Sequence, residues 1–239
     1  MNSAAPKIGF DRFIHNEWAT LALKIRAEQA GNDELPALLE TAGLSLEARK
    51  KTRTVLNRLW LQPRPDMVDF VDRGVALFQN NPEIHVPMLH WGVAVSIYPF
   101  FGKVAEVIGR LTSLHGDCTS TEVQRRMSEV YGEREGTYRM TNMVIQTQAD
   151  WGAIERVEKG KRIIRTPAVT VSNPAEVVWL LEAAIRQAGR SIQASTIGSV
   201  AAIYPFKLDG SLTFLASTSQ TLELRSLGSG KQEIALFVQ

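Results

Sequence analysis

Five basic side chains, Arg156, Lys159, Lys161, Arg162 and Arg165, fall within ten positions of a chain whose formal net charge is only +2. Lysine and arginine so crowded are the residues that displace counterions from nucleic-acid phosphates. A nearly neutral chain can attract an acidic partner only through such local patches. Just upstream, Arg134, Thr137, Tyr138, Arg139, Thr141, Asn142 and Gln146 lie in "REGTYRMTNMVIQTQADW". Asn, Gln and Arg side chains can contact base edges bidentately.

Other chemistries find less support. His15, His85, His90 and His115 fall in different predicted elements, and none pair at the i,i+4 spacing of a helical zinc site. They read as surface or satisfied core histidines. Cys118 has no second cysteine with which to form a disulfide or a thiolate cluster. No G-x-S-x-G elbow, P-loop or dinucleotide glycine fingerprint occurs. Asp66, Asp69 and Asp72 recur every three residues and could hold magnesium, but a solvated helical face is the commoner outcome of such spacing. No enzymatic site, cofactor or metal is expected, although motif absence does not exclude a site assembled from scattered residues.

Helices and one hairpin must position these residues. "GKVAEVIGRLTSLHG" (102–116) is amphipathic and closed by a glycine. "TSTEVQRRMSEVYG" (119–132) opens with a capping box, Thr119 and Glu122, and stops at Gly132. In the third helix (134–151), at about 100 degrees per residue, Gly136, Met140, Met143, Val144, Thr147 and Trp151 share one face. Glu135, Tyr138, Arg139, Asn142 and Gln146 lie opposite. "AIERV" and "RIIRT" then flank the turn "EKGK", a hairpin with Gly160 where positive φ is wanted. Its register pairs Val157 with Arg162 and Arg156 with Ile163, which leaves neither face cleanly apolar.

Three helices followed by a basic hairpin is the order of a winged helix-turn-helix. On that reading Arg134, Thr137, Tyr138, Thr141, Asn142 and Gln146 read bases. Arg125, Arg126 and the five wing cations contact phosphates. Residues 115–166 nevertheless hold nine Lys and Arg against eight Asp and Glu, a modest net charge of +1. A winged helix that docks another protein is therefore a standing alternative.

The expected fold is mostly α with α+β character. A helical bundle occupies 1–101 and the winged helix-turn-helix 102–168. A C-terminal helix plus small antiparallel sheet follows over 169–239 and could be a second, degenerate winged helix. Here "NPAEVVWLLEAAIRQAG" starts on Asn173 and Pro174, while "SLTFLAS", "TLELRSL" and "KQEIALFV" read as strands with "GSG" (228–230) as a turn. IYPF occurs at 97–100 and again at 203–206, a faint hint of duplication. A second basic cluster, "ARKKTRTVLNR" (48–58), could add phosphate contacts or be a solvated face. The N-terminus lacks the apolar core of a signal peptide, and "WGVAVSIYPFFG" falls well short of the roughly 20 residues of a membrane span. The chain reads as cytosolic.

The runs "HWGVAVSIYPFFGKVAEVIGRL" and "RRMSEVYGEREGTYRMTNMVIQTQADWGAIE" resemble the BrxA family of bacteriophage-exclusion (BREX) operons over residues 45 to 165. The resemblance rests on pattern, not on a diagnostic motif, and transfers no catalytic residue. It implies a non-enzymatic, DNA-associated member of a multi-protein defence system, with double-stranded DNA and other defence proteins as partners.

Overall fold

The structure, a computed structural model, describes residues 9–228 and 230–237. Its first helices are α1 (Asn16–Arg26), α2 (Glu34–Thr41), α3 (Leu46–Leu56), α4 (Val68–Asn80) and α5 (Val86–Ile97). Helix α3 begins where Ser45 accepts a hydrogen bond from the Ala48 amide at 3.3 Å and runs into a π-helical turn, Asn57–Leu61. Three carboxylates on and just before α4 each meet an arginine: Asp66 pairs with Arg64, Asp69 with Arg73 and Asp72 with Arg26. They form separate ion pairs, not a common ligand set.

Helix α5 is buried along most of its length, and α6 (Pro99–His115) leaves it at an angle of 114°. No single described helix is long and apolar enough to cross a membrane. Pro99 opens α6 three residues ahead of the expected start, because proline lacks only an N–H that the first turn would leave unpaired.

The last third contains β4 (Val169–Val171), α9 (Pro174–Ala188), β5 (Ile192–Gln193), β6 (Phe206–Leu208), α10 (Leu212–Ser217), β7 (Leu222–Ser226) and β8 (Gln232–Leu236). Two 3-10 turns, Ile197–Ser199 and Ala201–Ile203, fall between β5 and β6. Strand β4 pairs with β6 in parallel. The other three strands form an antiparallel sheet in the order β5–β8–β7. Asn173 caps α9 as the sequence predicts, its side chain accepting from the Ala175 amide at 2.9 Å. The hairpin turn between β7 and β8 includes Ser229, which lies outside the described residues.

Two expectations fail here. "SLTFLAS" is the helix α10, not a strand. Strand alternation would put Leu212, Phe214 and Ala216 on one face, whereas Phe214 is exposed and Ala216 is buried, as helical spacing requires. The two IYPF segments do different work: Pro99 opens a helix, while Pro205 leads into β6. They occupy non-equivalent places, so the match marks no duplication.

One core runs through all three parts of the chain. A Cβ on Gly92 would lie 2.2 Å from the Trp179 ring, and one on Gly109 would lie 2.1 Å from the Ala201 carbonyl oxygen. Trp179 stacks on Phe70 at 4.6 Å and donates to its carbonyl at 3.0 Å. Glycine at 92 and 109 lets α5 and α6 approach the C-terminal third at backbone distance.

Candidate nucleic-acid interface

Local signals build the central module. Helix α6 ends on Gly116 with φ 82°, and β1 (Asp117–Thr119) follows. Thr119 and Glu122 then form both bonds of a capping box at the start of α7 (Ser120–Tyr131). Gly132, φ 85°, ends that helix, and α8 (Glu135–Asp150) leads to β2 (Ile154–Val157) and β3 (Arg162–Arg165). The sheet order is β1–β3–β2, all antiparallel. Helix, strand, two helices and a two-stranded wing in this order make a winged helix. The hairpin register agrees with the sequence reading: Val157 faces Arg162 and Arg156 faces Ile163. Strand β1 was not foreseen, and it puts Cys118 opposite Ile163 in the core. Burial pushes the Cys118 thiol up to about 12, which leaves it protonated and unreactive.

The tip of the wing is held in a fixed shape. Glu158, Lys159 and Gly160 all have positive φ, and the Ser120 amide and hydroxyl donate to the carbonyls of Lys161 and Gly160, each at 2.9 Å. Those bonds tie the tip to the first turn of α7. Gly160 has φ 82°, the left-handed region that favours glycine, and a Cβ there would also displace the end of the Arg156 side chain, 2.8 Å away.

The five wing cations separate into two groups. Lys159 and Lys161 are exposed and, among the described residues, unpaired. Arg162 is bound to both Asp117 and Glu158. Arg156 donates to Asn142 Oδ1 at 3.3 Å. Arg165 turns inward, donating to Thr112 Oγ1 and the Gly109 carbonyl, with its guanidinium 4.9 Å from the Tyr204 ring centroid. It braces α6 against the sheet and does not face outward with the wing. The sequence could not separate these roles, because Thr112, Asp117 and Asn142 become neighbours only in the fold.

Helix α8 needs a similar correction. Thr137 and Thr141, expected on the outer face, are fully buried, and the Thr141 hydroxyl donates to the Thr137 carbonyl. Met143, expected inside, is half-buried. The buried arc is rotated because two surfaces, not one, cover α8: α7 on one side and the segment before α1 on the other. The Ile14 amide donates to Thr147 Oγ1 at 3.0 Å, the Asn16 amide to Asp150 Oδ2 at 2.6 Å, and Tyr204 Oη to Gln148 Oε1 at 3.0 Å. Gln146 opens with Arg139 and Met143 onto a cavity of about 510 Å³ shared with Arg12 and Lys51. Lys51 comes from the second basic cluster, and Arg12 was missed; an isolated arginine in an unpatterned segment carries no signal.

The N-terminal half of α8 therefore makes the open face. Arg134 and Arg139 are exposed and unpaired among the described residues, and Tyr138 Oη donates to Glu133 Oε1 at 3.1 Å. Asn142 turns its carbonyl oxygen to Arg156, which leaves its amide N–H groups to donate outward. On α7, Arg125 is exposed and unpaired among the described residues, and Arg126 meets Glu129 at 3.3 Å. This arrangement can bind an anionic backbone through single charges and offer one fixed amide to a base edge.

The histidines fit no shared site. His90 is fully buried, with Trp60 Nε1 donating to its Nδ1 at 3.2 Å and its Nε2 3.0 Å from the Thr20 hydroxyl. Burial lowers its pKa to about 3, so it is a neutral, satisfied core residue. Among the described residues no three His, Cys, Asp or Glu side chains cluster as metal ligands would. No family model, no curated protein and no solved structure matches this chain.

Proposed function

We propose that this chain is a non-catalytic double-stranded DNA-binding protein that uses its central winged helix. One observation carries the reading: Arg156 of the wing donates to Asn142 on the open half of α8, while Ser120 fastens the wing tip, whose Lys159 and Lys161 are unpaired among the described residues, to the start of α7. Arg125, Arg134 and Arg139, exposed on the same module, supply further charge that is unpaired among the described residues. The helix end would enter the major groove while the wing lies along the adjacent backbone. With a module net charge of only +1, affinity depends on a few contacts and sequence preference is limited. By its resemblance to the BrxA family, the proposal extends to a cytoplasmic, multi-protein phage-defence system.

A salt series of fluorescence anisotropy on a labelled duplex tests it. Wild-type affinity falls steeply with salt, and Lys159→Ala/Lys161→Ala flattens the log–log slope by about 2, at roughly 0.9 per lost phosphate contact. Absent or salt-indifferent binding would overturn it.

A second reading draws on Val130 and Ile164, apolar side chains exposed on α7 and β3 of the same module. They suit an adaptor whose winged helix docks another protein. That association would tolerate salt and ignore the lysine substitutions.

A further inference from the structure

A cleft of about 470 Å³ lies on another side of the molecule, between α6, the end of β3, and the Ile197–Ile203 turns with β6. Its lining includes three cations, Arg110, Arg165 and Lys207, and no carboxylate. Lys207 has no ion pair among the described residues, and Arg110 shares its one partner, Glu106, with Lys103. Arg165 is the informative member. It is half-buried, no described carboxylate pairs with it, and Nε and Nη2 are spent on Thr112 and Gly109 while Nη1 makes no hydrogen bond to described residues. Burial partly desolvates this guanidinium and no described carboxylate balances its charge, so an entering anion would be stabilised beside it. Ser113 adds an exposed hydroxyl. Leu114, 76% exposed, and Val200 give the same cleft an apolar rim.

Cations without acids, beside an apolar wall, in a volume typical of small-molecule sites, match a phosphate ester that carries a ring. We propose that this cleft binds the phosphates of a nucleotide unit on Arg110, Arg165 and Lys207, with its base against Leu114 and Val200. The phosphates could come from a free nucleotide or from a nucleic-acid backbone, and the proposal does not depend on the winged-helix reading.

Calorimetric titration with ATP, and with inorganic tripolyphosphate, tests it on wild type, on Arg110→Glu/Lys207→Glu and on Lys159→Ala/Lys161→Ala. Both reversed residues reach the surface, so the variant is expected to keep the wild-type melting temperature. ATP should bind wild type and the wing variant alike, tripolyphosphate more weakly, and the cleft variant about tenfold less per charge removed. If ATP does not bind while the cleft variant loses duplex affinity, the phosphates are those of the polymer, and the free-nucleotide source is overturned. If the cleft variant changes neither ATP nor duplex binding, the site is overturned. Failure of the wing variant alone to lose duplex affinity would overturn the winged-helix proposal and leave the cleft standing.

Discussion

Two regions of this chain share a strand order and differ in almost everything else. The central module arranges α6, β1, α7, α8, β2 and β3 with its sheet as β1–β3–β2. The C-terminal third arranges α9, β5, two 3-10 turns, β6, α10, β7 and β8, with one sheet as β5–β8–β7 and β6 paired instead with β4. The second region repeats the strand order of the first, but between β5 and β7 it has two 3-10 turns, the strand β6 and a six-residue helix, Leu212–Ser217, without a charged residue. Helix α8 spans 16 residues and presents Arg134, Arg139 and Asn142 near its free end. Phe214, 63% exposed, is what α10 presents. A shared strand order does not fix function, and the surface residues decide what each region can touch.

The largest effect expected from breaking this comparison lies where the two regions meet. Gly109 of α6 faces the Ala201 carbonyl, and a backbone atom cannot step aside as a flexible side chain can. Gly109→Val should cost about 3 kcal/mol or more by overpacking, with a matching fall in the urea midpoint. A midpoint unchanged from wild type would mean that the two regions do not rely on this contact. His90 gives a smaller, pH-dependent effect in the core beneath them, where its ring lies 5.6 Å from that of Trp151. Its folded pKa, about 3, lies below the ordinary histidine value of 6.5. The neutral form is the one the fold accepts, so its stability contribution is complete above the unfolded pKa and is lost as pH falls from there toward the folded value. His90→Gln should therefore lower stability at neutral pH by about 1–3 kcal/mol, and flatten the decline on acidification. An equally steep decline in the variant would show that other groups carry it.

Signals that act within a few residues were legible in the sequence, and this is why the module's frame was predictable. Thr119 with Glu122, Gly116, Gly132, Asn173 and the hairpin register all depend on neighbours in the chain. Strand β1 is three residues long and exists because β3 pairs with it from 45 residues away, which no local pattern encodes. The face of α8 was misjudged for the same reason. A wheel assumes one covering surface, while Ile14 and Asn16 arrive from more than 130 residues upstream to cover a second. The inward turn of Arg165 likewise required the Gly109 carbonyl and the Tyr204 ring, both distant in sequence. The basic cluster announced a charged surface; how many of those charges remain free is a tertiary property.

That distinction yields the smallest and sharpest effect. Lys161 and Arg162 are adjacent, and composition treats them as equals. Arg162 already satisfies Asp117, with Nε–Oδ2 at 2.8 Å, and also meets Glu158 at 3.3 Å. Lys161 has no such partner among the described residues. Removing Lys161 deletes a free charge, whereas removing Arg162 deletes a cation and releases two carboxylates beside the wing. In the anisotropy salt series, Lys161→Ala should flatten the slope by about 1. Arg162→Ala should leave the slope nearly unchanged, because neutralised charge displaces no counterion, while affinity falls modestly through repulsion from the freed Asp117 and Glu158. Arg162→Ala/Asp117→Ala should recover much of that loss. Equal slopes for the two single variants would mean that Arg162 leaves its partners for phosphate on binding, and the wing would then carry three working cations instead of two.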